Sequence, residues 1–296
     1  MISLALRLAA AALAPLALAI PAPALCQAAP AEERLAHISV VTLGDAGPPV
    51  ILIPGLASPR AVWDGVAPEL AKTHRVYLVQ VNGFAGDPAG DNGKPGLLDA
   101  ITADLAGYIA THKIAQPAIV GHSMGGMLAM MLATRHPEAV GRVMVVDALP
   151  FFSLLFGPTA TVEGARPFAE QARARTLATP PAAAPVTTDP GGIWSNRADG
   201  RIRVANWSAK ADPKVSGQAI YEMMTTDWRP ELGKLRARPF TILYATGAGP
   251  EATAIFEGAY AGSPATLVPV ADSWHFIMLD QPAAFATALN RFLSAP

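Results

Sequence analysis

Short apolar runs alternate along the chain with longer segments in which apolar residues recur every three or four positions. Runs at 37–43 and 50–53, separated by a Gly/Pro-rich turn at 44–49, predict two strands, because β-branched residues bounded by turn formers favour extended chain. A helix over 60–72 and a strand over 76–81 follow. Residues 83–96 carry five Gly and two Pro and predict a loop. Leu98, Ile101, Leu105, Tyr108 and Ile109 fall at helical spacing and predict a helix over 97–112. Next come a strand at 118–120, a helix at 124–135 and a buried strand at 142–146. From 149 to about 230 the periodicity lapses in a stretch rich in Pro, Ala and Trp. It resumes with a strand at 240–244, a helix at 251–260, a strand at 266–270 and a final helix at 282–293.

Strand and helix alternate on both sides of the irregular stretch, and neither side alone completes a sheet. This predicts an α/β fold: one mostly parallel central sheet with helices on both faces, in a single domain over 29–296 with 149–230 inserted as a cap. A formal net charge of −1, with no basic run, excludes the electrostatic footprint of a nucleic-acid binder and of a protein held on an anionic membrane surface. Cys26 is the sole cysteine, so neither an intrachain disulfide nor a thiolate metal cluster can form. Ahead of it, Arg7 precedes an apolar run over 8–20 that is interrupted at Pro15 and closed by Pro21 and Pro23. The run is short for a bilayer core, and Cys26 and Ala28 supply small residues for cleavage. Residues 1–28 therefore read as a signal peptide. The mature chain, starting near Ala29, is expected to be exported, periplasmic or secreted, without stable membrane insertion.

The candidate chemistry lies at Gly121-His122-Ser123-Met124-Gly125, which matches G-x-S-x-G between the strand at 118–120 and the helix at 124–135. A sharp strand-to-helix turn presents the serine at its tip and leaves no room for bulky neighbours. A serine hydroxyl is barely ionised near neutral pH and needs a base. His275, in a loop between the last strand and the last helix, is the candidate. Two carboxylates compete for the third position: Asp147 at the end of the strand at 142–146, and Glu251 in the first turn of the helix that follows the strand at 240–244.

These motifs resemble an α/β-hydrolase-fold serine hydrolase of the esterase and lipase-like superfamily, from about His37 to the C-terminus apart from the insertion. Ile51-Leu52-Ile53-Pro54-Gly55-Leu56 resembles that superfamily's oxyanion loop, with Pro54 where histidine is commoner, and Asp280-Gln281-Pro282 resembles its C-terminal block. The resemblance implies an oxyanion hole built from the backbone N–H groups of Leu56 and Met124. Met124 also stands at a helix N-terminus, where unpaired N–H groups favour an anion. The superfamily's acid usually follows the strand at 240–244, where this chain continues Ala245-Thr246-Gly247; some members carry it after the strand that here ends at Asp147.

The expected reaction is hydrolysis of a small-molecule carboxylic ester through an acyl-enzyme. Phe151, Phe152, Met223 and Met224 are candidate contacts for an apolar acyl or aryl group. Amide, lactone or carbon–carbon bond hydrolysis on the same site, and a non-catalytic binding role, are the alternatives. Superfamily members that open epoxides or remove halide use an aspartate nucleophile, and Ser123 argues against those reactions. No His/Asp/Glu cluster has ligand spacing and no G-x-G-x-x-G follows a strand, so neither a metal nor a nucleotide cofactor is expected.

Overall fold

A computed structural model describes residues 31–180 and 184–295; the expected leader and Cys26 lie outside them. Eight strands form one sheet: β1 (Glu32–Arg34), β2 (Ile38–Leu43), β3 (Pro49–Ile53), β4 (Arg75–Val81), β5 (Ala118–His122), β6 (Arg142–Val146), β7 (Phe240–Ala245) and β8 (Thr266–Val270). Their spatial order is β1-β2-β4-β3-β5-β6-β7-β8. Only the pairings of β1 with β2 and of β2 with β4 are antiparallel; the rest of the sheet is parallel, as the alternation of strands and helices predicts.

Alternation along each strand divides the core in two. Ile51, Ile53, Val79, Ile119, Val143, Val145 and Ile242 point to one face, which α2 (Leu97–Thr111), α3 (Met124–Arg135) and α7 (Pro250–Ala259) cover. Val50, Leu52, Leu78, Val120, Met144, Val146 and Leu243 point to the other, which α1 (Ala67–Leu70), α8 (Ile277–Asp280) and α9 (Pro282–Ser294) cover. Burial of both faces is the reason the parallel strands read as near-continuous apolar runs.

Two expectations are corrected. The helix over 60–72 is a 3-10 turn at Arg60–Trp63 followed by the four-residue α1, because Asp64-Gly65 interrupts the winding and Pro68, which lacks an N–H, is tolerated only at a helix start. The stretch over 149–230 is not mainly irregular. It contains α4 (Val162–Ala178), α5 (Ala198–Ala209) and α6 (Pro213–Thr225). Helix α4 escapes a periodicity search because Ala165 and Ala169 are its only buried residues and Pro167 lies inside it. Its start is instead marked by Thr161, whose hydroxyl accepts the Gly164 N–H at 3.1 Å, and that of α6 by Asp212, which accepts from Lys214 and Val215.

Polar side chains fix both the stretch over 149–230 and the loop before α2. The Glu222 carboxylate on α6 accepts the free N–H groups of Gly96, Leu97 and Leu98 at 2.7–3.0 Å, capping α2 from outside. The glycine-rich loop before α2 is held by buried Asn92, whose amide donates to the carbonyls of His37 and Asn82.

Candidate active site

Strand β5 runs through His122 and α3 begins at Met124, leaving Ser123 alone at the turn with φ 54° and ψ −121°. This is a backbone conformation that L residues avoid and that costs about 1–3 kcal/mol, tolerated where the surroundings enforce it. The glycines explain how. A Cβ on Gly121 would overlap the backbone carbonyl of Gly125, one on Gly125 would overlap the carbonyl of Ile53, and one on Gly126 would lie 2.9 Å from both Ala148 and Val145. Gly55, in the facing loop, leaves room for the turn itself: its Cβ would sit 2.8 Å from His122 Nδ1 and 3.0 Å from Ser123 Cβ. The Ser123 side chain does not cap α3, and it is 7% exposed.

Met124 is the first residue of α3 and its N–H has no carbonyl one turn back to bond. Leu56 lies in the adjoining turn, closed by a 3.2 Å bond from Ser58 N–H to the Gly55 carbonyl. The two loops that carry the expected oxyanion donors are thus in contact through Gly55 and Ser123.

The loop after β8 brings His275 to the Asp147 carboxylate, with Nδ1 2.7 Å from Oδ2. The other oxygen, Oδ1, accepts the Ala245 N–H at 2.8 Å, so neighbouring strand ends hold the carboxylate from two sides. Asp147 sits at φ 49°, a conformation aspartate tolerates better than most side chains. Glu251 is exposed in the first turn of α7 and forms no part of this arrangement. Among the described residues no hydrogen bond joins Ser123 to His275; such bonds are often long in empty sites and tighten around substrate. The two residues are linked through His122, whose ring lies 4.6 Å from that of His275 and whose Nε2 is 3.0 Å from the His275 carbonyl. A carbonyl only accepts, so His122 is the Nε2–H tautomer. Burial, reinforced by the neighbouring His275, holds its pKa well below the ordinary imidazole value.

The four apolar residues expected at a substrate pocket are all buried or half-buried. Phe151 is fully buried with the Arg229 guanidinium 5.0 Å from its ring, Met223 and Met224 are buried on α6, and Phe152 is half-buried against the same core cluster. From the stretch over 149–230, Trp194 reaches His275, its ring 5.5 Å from the imidazole and half exposed. In sequence it is one of several tryptophans in an unpatterned stretch, so nothing there singles it out. Two cavities, of about 320 and 150 Å³, lie elsewhere: one at the edge strand beside Glu33, Tyr108 and His112, the other beside Leu154 and Arg229. Among the described residues no cluster of His, Cys, Asp or Glu suits a metal ion, and no helix is long and apolar enough to cross a membrane.

Residues 50–288 match the sequence model of the alpha/beta hydrolase family. The chain belongs to that family. Among its relatives, the pimeloyl-[acyl-carrier protein] methyl ester esterase of Aeromonas hydrophila subsp. hydrophila is 34% identical over 115 residues, which is 39% of this chain and 43% of that one. The N-formylmaleamate deformylase of Pseudomonas putida is 31% identical over 104 residues, 35% of this chain and 38% of the relative. The chain therefore spans less than half the length of these curated relatives. Over nearly the whole fold it superposes on a thermophilic esterase from Thermogutta terrifontis, with a TM-score of 0.70, 19% identity and coverage of 89% of this chain and 98% of the other. The enol-lactonase from Burkholderia xenovorans superposes with a TM-score of 0.66 and 22% identity, over 87% and 96% of the two chains. The chain is thus an alpha/beta hydrolase with the fold expected from its sequence.

Proposed function

We propose that this hydrolase is a serine carboxylesterase acting on small-molecule esters with an apolar acyl or aryl group. The observation that carries this reading is the Asp147–His275 pair at 2.7 Å, with Ser123 at a strained turn one residue from the histidine that holds the His275 main chain. In the proposed cycle Ser123 Oγ attacks the ester carbonyl and its proton passes to His275 Nε2. Asp147 accepts the Nδ1–H and stabilises the imidazolium. The negative charge on the carbonyl oxygen is held by the N–H groups of Leu56 and Met124. Collapse expels the alcohol, which takes its proton from His275, and leaves the acyl-enzyme. Water, deprotonated by His275, then releases the acid and restores Ser123.

The partial matches to a methyl ester esterase and the fold-level match to another esterase support ester cleavage over the amide and lactone alternatives, which the deformylase and the enol-lactonase keep in view. We further propose that residues 1–28 direct export, from the apolar run behind Arg7, and that the insertion over 149–230 serves as the cap over the site. Mass spectrometry of the secreted chain should find Ala29 at its N-terminus; a retained Met1 would refute export by cleavage. Hydrolysis of p-nitrophenyl esters of increasing acyl length, beside Ser123→Ala and His275→Ala, tests the chemistry. Turnover by the wild type that either substitution abolishes is expected. Undiminished turnover in Ser123→Ala would overturn the mechanism.

A further inference from the structure

Three rings surround the His275 imidazole: His122 at 4.6 Å, Phe276 at 5.4 Å and Trp194 at 5.5 Å. His122 is fully buried and Phe276 nearly so, whereas half of Trp194 is exposed. Of the three rings around the imidazole, Trp194 is thus the one open to solvent. Its backbone is fixed although its ring is in part free. The Trp194 carbonyl accepts the N–H of Phe276 at 3.0 Å, which stitches the insertion to the residue after His275. The next residue, buried Ser195, donates its hydroxyl to the Asp280 carboxylate, and the Asn196 N–H reaches both oxygens of that carboxylate at 3.2 Å. From the other side the same carboxylate accepts the N–H of Trp274 at 2.7 Å. Asp280, 6% exposed and one turn past His275, thus clamps the chain before His275 to the chain after Trp194. Arg201 closes the outer end, donating to the Ser195 carbonyl at 2.8 Å and to both oxygens of Asp189.

We propose that Trp194, held beside His275 by the Asp280 clamp, is a specificity wall for the alcohol portion of the ester and selects apolar, preferably aromatic, leaving groups. This rests on the esterase reading. The imidazole that took the serine proton returns it to the leaving oxygen, so the substituent on that oxygen must lie against the open side of His275, and Trp194 occupies that side. An indole face favours planar apolar groups through stacking and burial. The anchored backbone means that little ordering is required on binding. Asp280 is a positioning residue here; it touches neither substrate nor imidazole.

The test compares benzyl with methyl esters of one acid, and separately methyl esters of acids of increasing length, in the wild type, Trp194→Ala, Trp194→Phe and Ser195→Ala. Trp194→Ala should lower the benzyl-to-methyl ratio of kcat/KM about tenfold, mainly through KM, while the acyl-length profile keeps its shape. Trp194→Phe should restore most of the ratio, and Ser195→Ala, which loosens the clamp and keeps the indole, should fall between. A fluorophosphonate probe separates the two failures. If it does not label Ser123 in the wild type, the serine hydrolase reading fails. If it labels Ser123 but Trp194→Ala shifts benzyl and methyl esters alike, or shifts the acyl profile instead, the specificity wall is wrong and the esterase reading stands. If Ser123 is labelled but neither ester turns over, competition decides: benzyl alcohol should slow labelling in the wild type and not in Trp194→Ala, and equal slowing in both would overturn the proposal.

Discussion

The imidazole of His122 donates its Nε2–H to the backbone carbonyl of His275 across 3.0 Å, so one histidine fixes the main chain of the other. Its remaining nitrogen, Nδ1, is buried without a partner among the described residues, consistent with a ring that stays neutral. The motif position between Gly121 and Ser123 thus acts on the opposite end of the site from the residue it adjoins.

This arrangement sets a pH dependence. Burial first, and the nearby His275 second, keep His122 neutral in the folded chain below the pH at which a free imidazole protonates. The unfolded chain protonates that residue near pH ~6.5, so below this value it binds more protons than the native state. Stability contributed by His122 is therefore fully present above about pH 6.5 and is lost as pH falls, by up to about 1.4 kcal/mol per pH unit. Urea midpoints at pH 7.5 and 5.5 should differ more for the wild type than for His122→Asn, which cannot titrate. Equal losses would place the effect elsewhere.

Asp147 and Glu251 are separated by geometry that spacing alone cannot supply. Asp147→Asn keeps an oxygen for the Ala245 N–H but presents an amide to His275, favouring the wrong imidazole tautomer. Turnover of a p-nitrophenyl ester should fall by about a thousandfold or more, with the melting temperature little changed. Glu251→Gln, on the exposed first turn of α7, should stay within twofold of the wild type. A large loss in Glu251→Gln with a small one in Asp147→Asn would reverse the assignment.

The frame was legible wherever burial imposes a period. Strands covered on both faces are apolar runs, and α2 and α3 bury Leu98, Ile101, Met127 and Met131 at helical spacing. The turn around Ser123 was legible because its glycines answer to steric overlap that no other residue relieves. Other features carry no such signature. Strand β1 is three exposed residues, Glu-Glu-Arg, with no apolar member to mark it. The chain after Trp194 is tied to Asp280, 84 to 85 residues further on, by the Ser195 hydroxyl and the Asn196 N–H, and the Trp274 N–H bonds the same carboxylate; the two backbone donors leave no trace in residue type. Phe151 and Met223 show the converse: large apolar residues in the stretch after Asp147 are buried in the cluster that packs on the sheet, so their residue type alone does not tell core from substrate contact.

The glycines predict opposite outcomes for one substitution. Gly121→Ala and Gly125→Ala each force a methyl into backbone that cannot yield, so both should express poorly or lose several degrees of melting temperature together with reactivity at Ser123. Gly107, inside α2, has nothing within 4 Å of its would-be Cβ. Gly107→Ala should stabilise the fold by about 0.5–1 kcal/mol, because alanine is the better helix former and restricts the unfolded chain. Thermal melts of the three variants check this, and destabilisation by Gly107→Ala would contradict the open space beside α2.

Tyr260 carries the last prediction, because it supports Asp147 from behind. Its buried hydroxyl donates to the Ala148 carbonyl at 2.7 Å, immediately after the carboxylate that faces His275. Burial first, and the charge of Asp147 second, push its pKa well above the ordinary phenol value. Tyr260→Phe keeps the ring and its edge contact with Phe240 but strands that carbonyl, which should cost about 1–3 kcal/mol. If the bond also fixes the backbone at Asp147, kcat should fall severalfold with KM little changed. Above about pH 10 the unfolded chain ionises this tyrosine before the native one does, so wild-type stability should decline there and the Tyr260→Phe decline should be shallower. Urea melts at pH 8 and pH 10.5 measure both effects. Identical curves for the two proteins at both values would mean that the hydroxyl contributes nothing to holding Ala148.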